Sequence, residues 1–247
     1  MNQKGGVGKT STCVNLGYAL AKMGKRVLLV DLDPQANTTV HIGIDDDNLD
    51  KTIYNLLTKR GAKATDYIIA TNYGMDILPA NIELADADIT LASAINRESI
   101  LRKVLEPIKD KWDYILLDCP PNLGLLSLNA LTACQMVIVP VSPGFFSIKG
   151  LGRLYEVIEM VKENLLNVDI TAKVLVTMFD ARETISKGII KALVENLGQD
   201  MIFAAKIRVN TAVKYSQEKQ QPTAFYDQKS KAAQDYYKLA REVLQKC

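Results

Sequence analysis

A glycine-rich run ending in Gly-Lys-Thr and leading straight into an amphipathic stretch constrains this chain more than any other feature. It reads Lys4-Gly5-Gly6-Val7-Gly8-Lys9-Thr10-Ser11. Glycines let backbone N–H groups curl inward where a Cβ would intrude, and the helix that follows adds the partial positive charge of its N-terminus. Such a loop suits the phosphates of a nucleotide, and ATP with Mg²⁺ is the expected ligand pair. Lys9 supplies a point charge for the β- and γ-phosphates and Thr10 a hydroxyl for the metal. Gly5, Gly6, Val7, Gly8 and Ser11 complete the expected contacts. The general pattern places a glycine where Gln3 stands, and this chain carries instead an additional lysine, Lys4. Lys9 and the loop backbone already surround the chain's own phosphates, so the geometry that gives Lys4 a use has it reaching the nucleotide of a facing subunit.

Downstream, short β-branched apolar runs alternate with longer amphipathic stretches, the pattern of parallel βα units. Strands are expected at Arg26–Asp31, Met75–Pro79, Asp113–Asp118, Met136–Val141, Lys173–Thr177 and Met201–Ala205. Runs that are apolar almost throughout fit strands covered by helices on both faces. Helices are expected at Lys9–Met23, Ile82–Ala94, Ser99–Lys109, Gly124–Ala133, Ser147–Asn164, Thr184–Gly198 and Lys229–Gln245. No Pro/Gly/Ser-rich linker divides the 247 residues. The expectation is one doubly wound α/β domain over residues 1–247, with a mostly parallel sheet flanked by helices. One element does not fit: a phosphate loop is normally delivered by a strand, and only Met1-Asn2-Gln3 precede Lys4. Either the start is trimmed or misassigned, the reading favoured here, or the fold tolerates a vacant central position.

Two acidic segments complete the expected site. Val30-Asp31-Leu32-Asp33-Pro34-Gln35 ends one strand and Leu117-Asp118-Cys119-Pro120-Pro121 another. Apolar strands that end in aspartate bring carboxylates to the carboxyl edge of the sheet, beside the phosphates. Asp118 is expected on the Mg²⁺ side, acting through a water. Asp33 is expected to orient the attacking water at the metal side of the site, giving Lys4, Lys9 and Asp33 as the catalytic set. The cysteines (Cys13, Cys119, Cys134 and Cys247) contain no C-x-x-C pair, and His41 is the only histidine. A zinc site is therefore not expected. No apolar run reaches the ~20 residues that span a bilayer. A soluble, reducing cytoplasmic setting follows as an expectation.

With KGGVGKTS, DLDPQ and DCPP in this order, the chain resembles the deviant Walker ATPases, and within them the ParA/Soj partition ATPases. Leu175-Val176-Thr177-Met178-Phe179-Asp180-Ala181-Arg182 and Tyr226-Asp227-Gln228-Lys229-Ser230-Lys231 extend the resemblance over nearly the whole chain. The resemblance implies a weak intrinsic ATPase that closes as a sandwich homodimer on ATP, with Lys4 of each subunit on the other's nucleotide. It implies that the dimer binds non-specific DNA on the nucleoid. It also implies release by hydrolysis that a ParB-type centromere-binding protein stimulates, with a plasmid or chromosome as cargo. Net charge is only +2, but residues 180–247 hold 12 lysines and arginines against 8 acidic residues, compared with 18 against 20 before them. Arg182 occupies the place of a DNA-contacting arginine in such relatives, and Arg208 and Lys214 stand near two others. Lys187 and Lys206 join them on local charge. DNA binding through phosphates would fall steeply with salt.

Three rival readings share the loop. A MinD-like membrane ATPase would need an amphipathic C-terminal helix lying on lipid. The stripe Ala232, Ala233, Tyr236, Leu239, Ala240, Val243 and Leu244 instead predicts a core-facing helix. An iron–sulfur reductase would need cysteines that bridge a cluster between subunits, and Cys119 and Cys134 lack that context. A positioning ATPase for a protein cargo would share every motif named above.

Overall fold

The alternation of apolar runs and amphipathic stretches becomes an alternation of strands and helices. The computed structural model describes residues 1, 5–143, 148–164 and 167–245, with 148 and 149 as backbone only. The first half contains α1 (Lys9–Lys22), β1 (Val27–Asp31), α2 (Asn37–His41), α3 (Ile53–Thr58), β2 (Ile69–Ala70), β3 (Asp76–Leu78), α4 (Ala87–Thr90) and α5 (Ile100–Leu105). The second half contains β4 (Tyr114–Asp118), α6 (Leu125–Ala133), β5 (Met136–Val141), α7 (Ile148–Asn164), β6 (Thr171–Phe179) and α8 (Thr184–Leu197). It ends with β7 (Ile202–Arg208), α9 (Thr211–Glu218), α10 (Thr223–Tyr226) and α11 (Lys231–Leu244).

The six expected strands are all present. Two expected helices come out shorter. Residues 82–94 form a 3₁₀ turn over Ile82–Asp86 and only one helical turn, α4. Leu84, Ala87 and Leu91 are buried at helical spacing, while Ile82, Ile89 and Ile95 face solvent. The α5 helix stops at Leu105, and the chain continues as a 3₁₀ turn over Glu106–Lys111 that carries Pro107 near its start, where the missing N–H of proline is tolerated. At the other end, α11 starts at Lys231 because the Ser230 hydroxyl accepts the Ala233 N–H at 3.2 Å, an N-cap.

Among the described residues the strands form two sheets, with parallel pairing as expected except at β2–β3. One has the order β2-β3-β1-β4 and is parallel except for the short β2–β3 pair; the other is the parallel β5-β6-β7. Helices cover both faces of each. On one face α1 buries Ser11 through Leu20 without a break. There its Leu16 and Leu20 share a core with Leu29 and Ile77 of the first sheet, Leu175 and Phe203 of the second, and Tyr236 and Leu239 of α11. Approach is close at Gly17, where a Cβ would stand 2.8 Å from Leu29 Cδ2 and 3.0 Å from Met75 Sδ. On the opposite face, separate clusters under α3, α5 and α6 and under α7 and α8 complete the core.

Between β4 and β5 no strand lies among the described residues. A cavity of about 120 Å³ runs there, roofed by α1 and floored by α6. The Met1 amino group donates to the Ile138 carbonyl at its edge.

Candidate functional site

The glycine loop turns before α1 by adopting left-handed backbone at Gly6 (φ +73°) and Gly8 (φ +86°), conformations that cost a residue with a Cβ. Gly8 caps α1 with no side-chain hydrogen bond, and the first turn carries no acidic residue. The first-turn N–H groups and the helix dipole are thus left for an external anion. Val7 is buried, and its carbonyl accepts the Thr177 hydroxyl of β6 at 2.9 Å. The second sheet thereby holds a loop that no strand of the described residues feeds directly.

At the mouth of the loop, two hydroxyls converge on one carboxylate. Thr10 Oγ1 donates to Asp118 Oδ2 at 2.7 Å and Thr38 Oγ1 donates to the same oxygen at 2.8 Å. Asp118 ends β4 directly opposite Asp31, which ends β1. Both are buried, and burial raises both above the ordinary carboxylate range, Asp31 to about 7. Asp31 also ties the following loop together. Its Oδ1 accepts the Asp33 N–H at 3.2 Å, and its Oδ2 accepts the Thr39 N–H at 2.9 Å and hydroxyl at 2.8 Å. Asp33 is buried and accepts the Gln35 N–H at 3.0 Å. Lys9 is partly buried, which pushes its ammonium below its usual value, while Asp118 and Asp33 oppose that shift.

A cation beside Asp118 and Asp31 would favour their ionised forms, which burial alone disfavours. Among the described residues no three His, Cys, Asp or Glu side chains form a metal cage. A hard oxygen set of one carboxylate and two hydroxyls fits Mg²⁺, which retains waters and takes phosphate oxygens rather than a full protein cage.

These groups open into a cleft of about 850 Å³, walled by the glycine loop, Asp33 and Gln35 on one side and by residues 207–217 on the other. Lys9, Thr10, Asp33 and the glycines line this cleft, and Asp118 joins them through its bond with Thr10. Ser11 sits at the same place, with its hydroxyl accepting from Gln217 Nε2 at 2.8 Å. Lys4 lies outside the described residues. Thr38, Thr177 and Gln217 were not foreseen, because each meets its partner across a long separation in the chain. The threonine pair shortly after DLDPQ was the one available sign, since short hydroxyl side chains suit a carboxylate-rich loop.

The basic residues divide. Arg182 is exposed and forks onto Asp180 two positions away, at 2.6 Å. Lys187 is exposed on α8. Lys206 stands 5.3 Å over the Phe179 ring. Arg208 is held in a fork by the buried Asp235 of α11, with Nε to Oδ2 and Nη2 to Oδ1 both at 2.7 Å. Lys214 lies in the wall of the cleft. In the C-terminal helix, Ala232, Ala233, Tyr236, Leu239, Ala240 and Val243 are buried against the core, as the stripe required. Among the described residues no helix is long and apolar enough to cross a membrane.

A protein-family model described as an AAA domain matches residues 1–172. The sporulation initiation inhibitor protein Soj of Bacillus subtilis (strain 168) is 42% identical over 244 residues, covering 98% of this chain and 95% of that protein. The chromosome partitioning protein ParA of Caulobacter vibrioides (strain NA1000 / CB15N) is 39% identical over 246 residues, covering 98% and 91%. Among solved structures, the cobyrinic acid a,c-diamide synthase of Mycobacterium smegmatis with bound ADP and magnesium matches with a TM-score of 0.87 at 34% identity. That match covers 99% of this chain and 92% of the other.

Proposed function

This chain belongs to the AAA domain family and is a partition ATPase of the Soj and ParA kind, and from that premise we propose how its residues run an ATP-driven switch for partitioning DNA. It hydrolyses ATP. The observation that carries the residue assignment is the junction of Thr10, Thr38 and Asp118 at the mouth of the glycine loop. Gly5 to Ser11 hold the phosphates through backbone N–H groups, and Lys9 adds its charge. Thr10, Asp118 and Asp33 would hold Mg²⁺, which when bound would supply neutralising charge to the phosphates. Asp33 orients the attacking water, and Asp31 sets Asp33 by taking its N–H.

The remaining parts of the reading extend further. Residues 1–247 act as one ATPase domain in the cytoplasm, on the nucleoid. ATP closes two copies face to face, and Lys4 of each reaches the other's phosphates. The closed dimer binds DNA through its phosphates, using Arg182, Lys187, Lys206, Arg208 and Lys214. A ParB-type protein stimulates hydrolysis and release. Arg208 serves here only in part, because Asp235 already holds its guanidinium.

The test is DNA binding by the purified protein with ATP, ADP or no nucleotide across a salt series. Binding that needs ATP, ignores sequence and weakens linearly in log salt supports the switch. Equal binding in all three nucleotide states removes it.

A further inference from the structure

Two adjacent threonines, Thr38 and Thr39, stand in the first turn of α2. Neighbours in a helix splay about 100° apart and do not face one another, so such a pair reaches two different acceptors. The sheet supplies them. Asp31 and Asp118 end β1 and β4 in direct register, on neighbouring strands that run about 4.8 Å apart. Thr39 Oγ1 donates to Asp31 Oδ2 at 2.8 Å while it accepts the Ala80 N–H at 3.1 Å. Thr38 Oγ1 donates to Asp118 Oδ2 at 2.8 Å, on the oxygen that Thr10 also reaches.

The backbone bends to make this delivery. Ala36 is wholly buried and takes a left-handed conformation, φ +51° and ψ +27°, immediately before α2. That conformation is unfavourable for a residue with a Cβ, and it persists where surrounding contacts over-determine it. The bonds from Thr38 and Thr39 are such contacts, and both threonines are wholly buried. The two hydroxyls on Asp118 differ in what they can meet. Thr10 lines the cleft, whereas Thr38 has no surface in it, so Thr38 acts through the carboxylate alone. The terminal torsion of an aspartate is broad, and two donors from different helices converging on one oxygen hold it at a single angle. The Thr38 bond also spans 80 positions, and it joins β4 to the segment that carries Asp33.

We propose that Thr38 is a positioning residue for the metal side of the site: it holds the Asp118 carboxylate in place for Mg²⁺ and fastens the Asp33 loop to that carboxylate. The inference deepens the ATP and Mg²⁺ reading given above and rests on it. Removing a partner that orients a metal-holding group without touching the metal lowers metal affinity about 10- to 100-fold.

The experiment measures ATP affinity on the whole chain by isothermal titration, once in EDTA and once with saturating Mg²⁺. The ratio of the two Kd values, EDTA over Mg²⁺, reads the metal's share. Thr38→Val keeps volume and β-branching and deletes the donor. It should lower that ratio about tenfold by weakening Mg-ATP binding, with affinity in EDTA at the parent's value. Thr38→Ser should restore the ratio, and in an Asp118→Asn background Thr38→Val should change it no further. A parental ratio in Thr38→Val overturns the proposal. Equal weakening with and without metal also overturns it, because a residue that only supports the fold would act that way. If Thr38→Val fails to fold, Thr38→Ala is read in the same manner, with Mn²⁺ binding to the ATP complex followed by electron paramagnetic resonance; parental Mn²⁺ affinity overturns the proposal. Should the parent bind ATP equally in EDTA and Mg²⁺, the metal reading falls and the role of Thr38 with it. A parent with a clear ratio that Thr38→Val keeps removes the role of Thr38 alone.

Discussion

The bond from Thr177 to the Val7 carbonyl gives the most discriminating test of how this site is held. It spans 170 positions and fastens the glycine loop to the second sheet. Thr177→Val keeps the volume and the β-branched shape while removing the donor, so the Val7 carbonyl is left buried with that bond gone. Losing such a bond and stranding its acceptor costs about 1–3 kcal/mol. In a chain of 247 residues, each kcal/mol moves the unfolding midpoint by about 2–4 °C, so a fall of about 3–6 °C is expected for a cost near 1.5 kcal/mol. Where the loop must be repositioned to receive phosphates, the same energy reappears in binding, and the Kd for Mg-ATP rises about tenfold for each 1.4 kcal/mol. Scanning fluorimetry without nucleotide and isothermal titration with Mg-ATP separate the two effects. Thr177→Ser should restore both. If Thr177→Val keeps the parent's Kd and midpoint, the loop is held by other contacts and the reasoning fails.

The other predictions concern chemistry, pH and charge. Asp33→Ala should bind ATP and hold it unhydrolysed, and Lys4→Ala should lose hydrolysis and weaken dimerisation; phosphate release and light scattering with ATP measure both, and parental rates in either variant refute that residue's role. His41 is buried with its ring nitrogen on the Gln221 carbonyl, and burial pushes its folded-state value down from 6.5 to about 4. The unfolded chain then binds a proton that the folded chain does not as pH falls from 6.5 to 4, so the contribution is complete above 6.5 and lost through that window. The loss is on the order of 3 kcal/mol, and His41→Gln should flatten the difference in denaturant midpoints between pH 7 and pH 4.5. Asp235→Asn breaks the fork on Arg208, whose side chain is 34% exposed against 3% for Asp235; after discounting for solvent on the arginine, about 2 kcal/mol of stability should go. If Arg208 serves DNA, Arg208→Ala lowers the salt slope by about one while Asp235→Asn does not, as fluorescence anisotropy over a salt series would show.

Elements whose information is local could be read from neighbouring residues alone. Runs that are apolar on both faces suit strands covered by helices on both sides, so β1, β4, β5 and β6 were legible. Gly6 and Gly8 before Lys9 announced a loop with left-handed backbone at a helix start, and strand-end aspartates announced carboxylates beside it. Pro107 was also visible, yet its consequence depended on what each face met in the folded chain. Tertiary structure alone decided that Thr38 joins Thr10 on Asp118, that Thr177 holds the loop, that Gln217 takes the Ser11 hydroxyl, and that Arg208 is held by Asp235. These contacts join positions whose spacing carries no periodic signal, because they are set by which strand lies next to which. The division into two sheets was decided there too. Which strand lies beside β4 or β5 cannot be read from either strand's own residues, since each is apolar on both faces whatever lies at its edge.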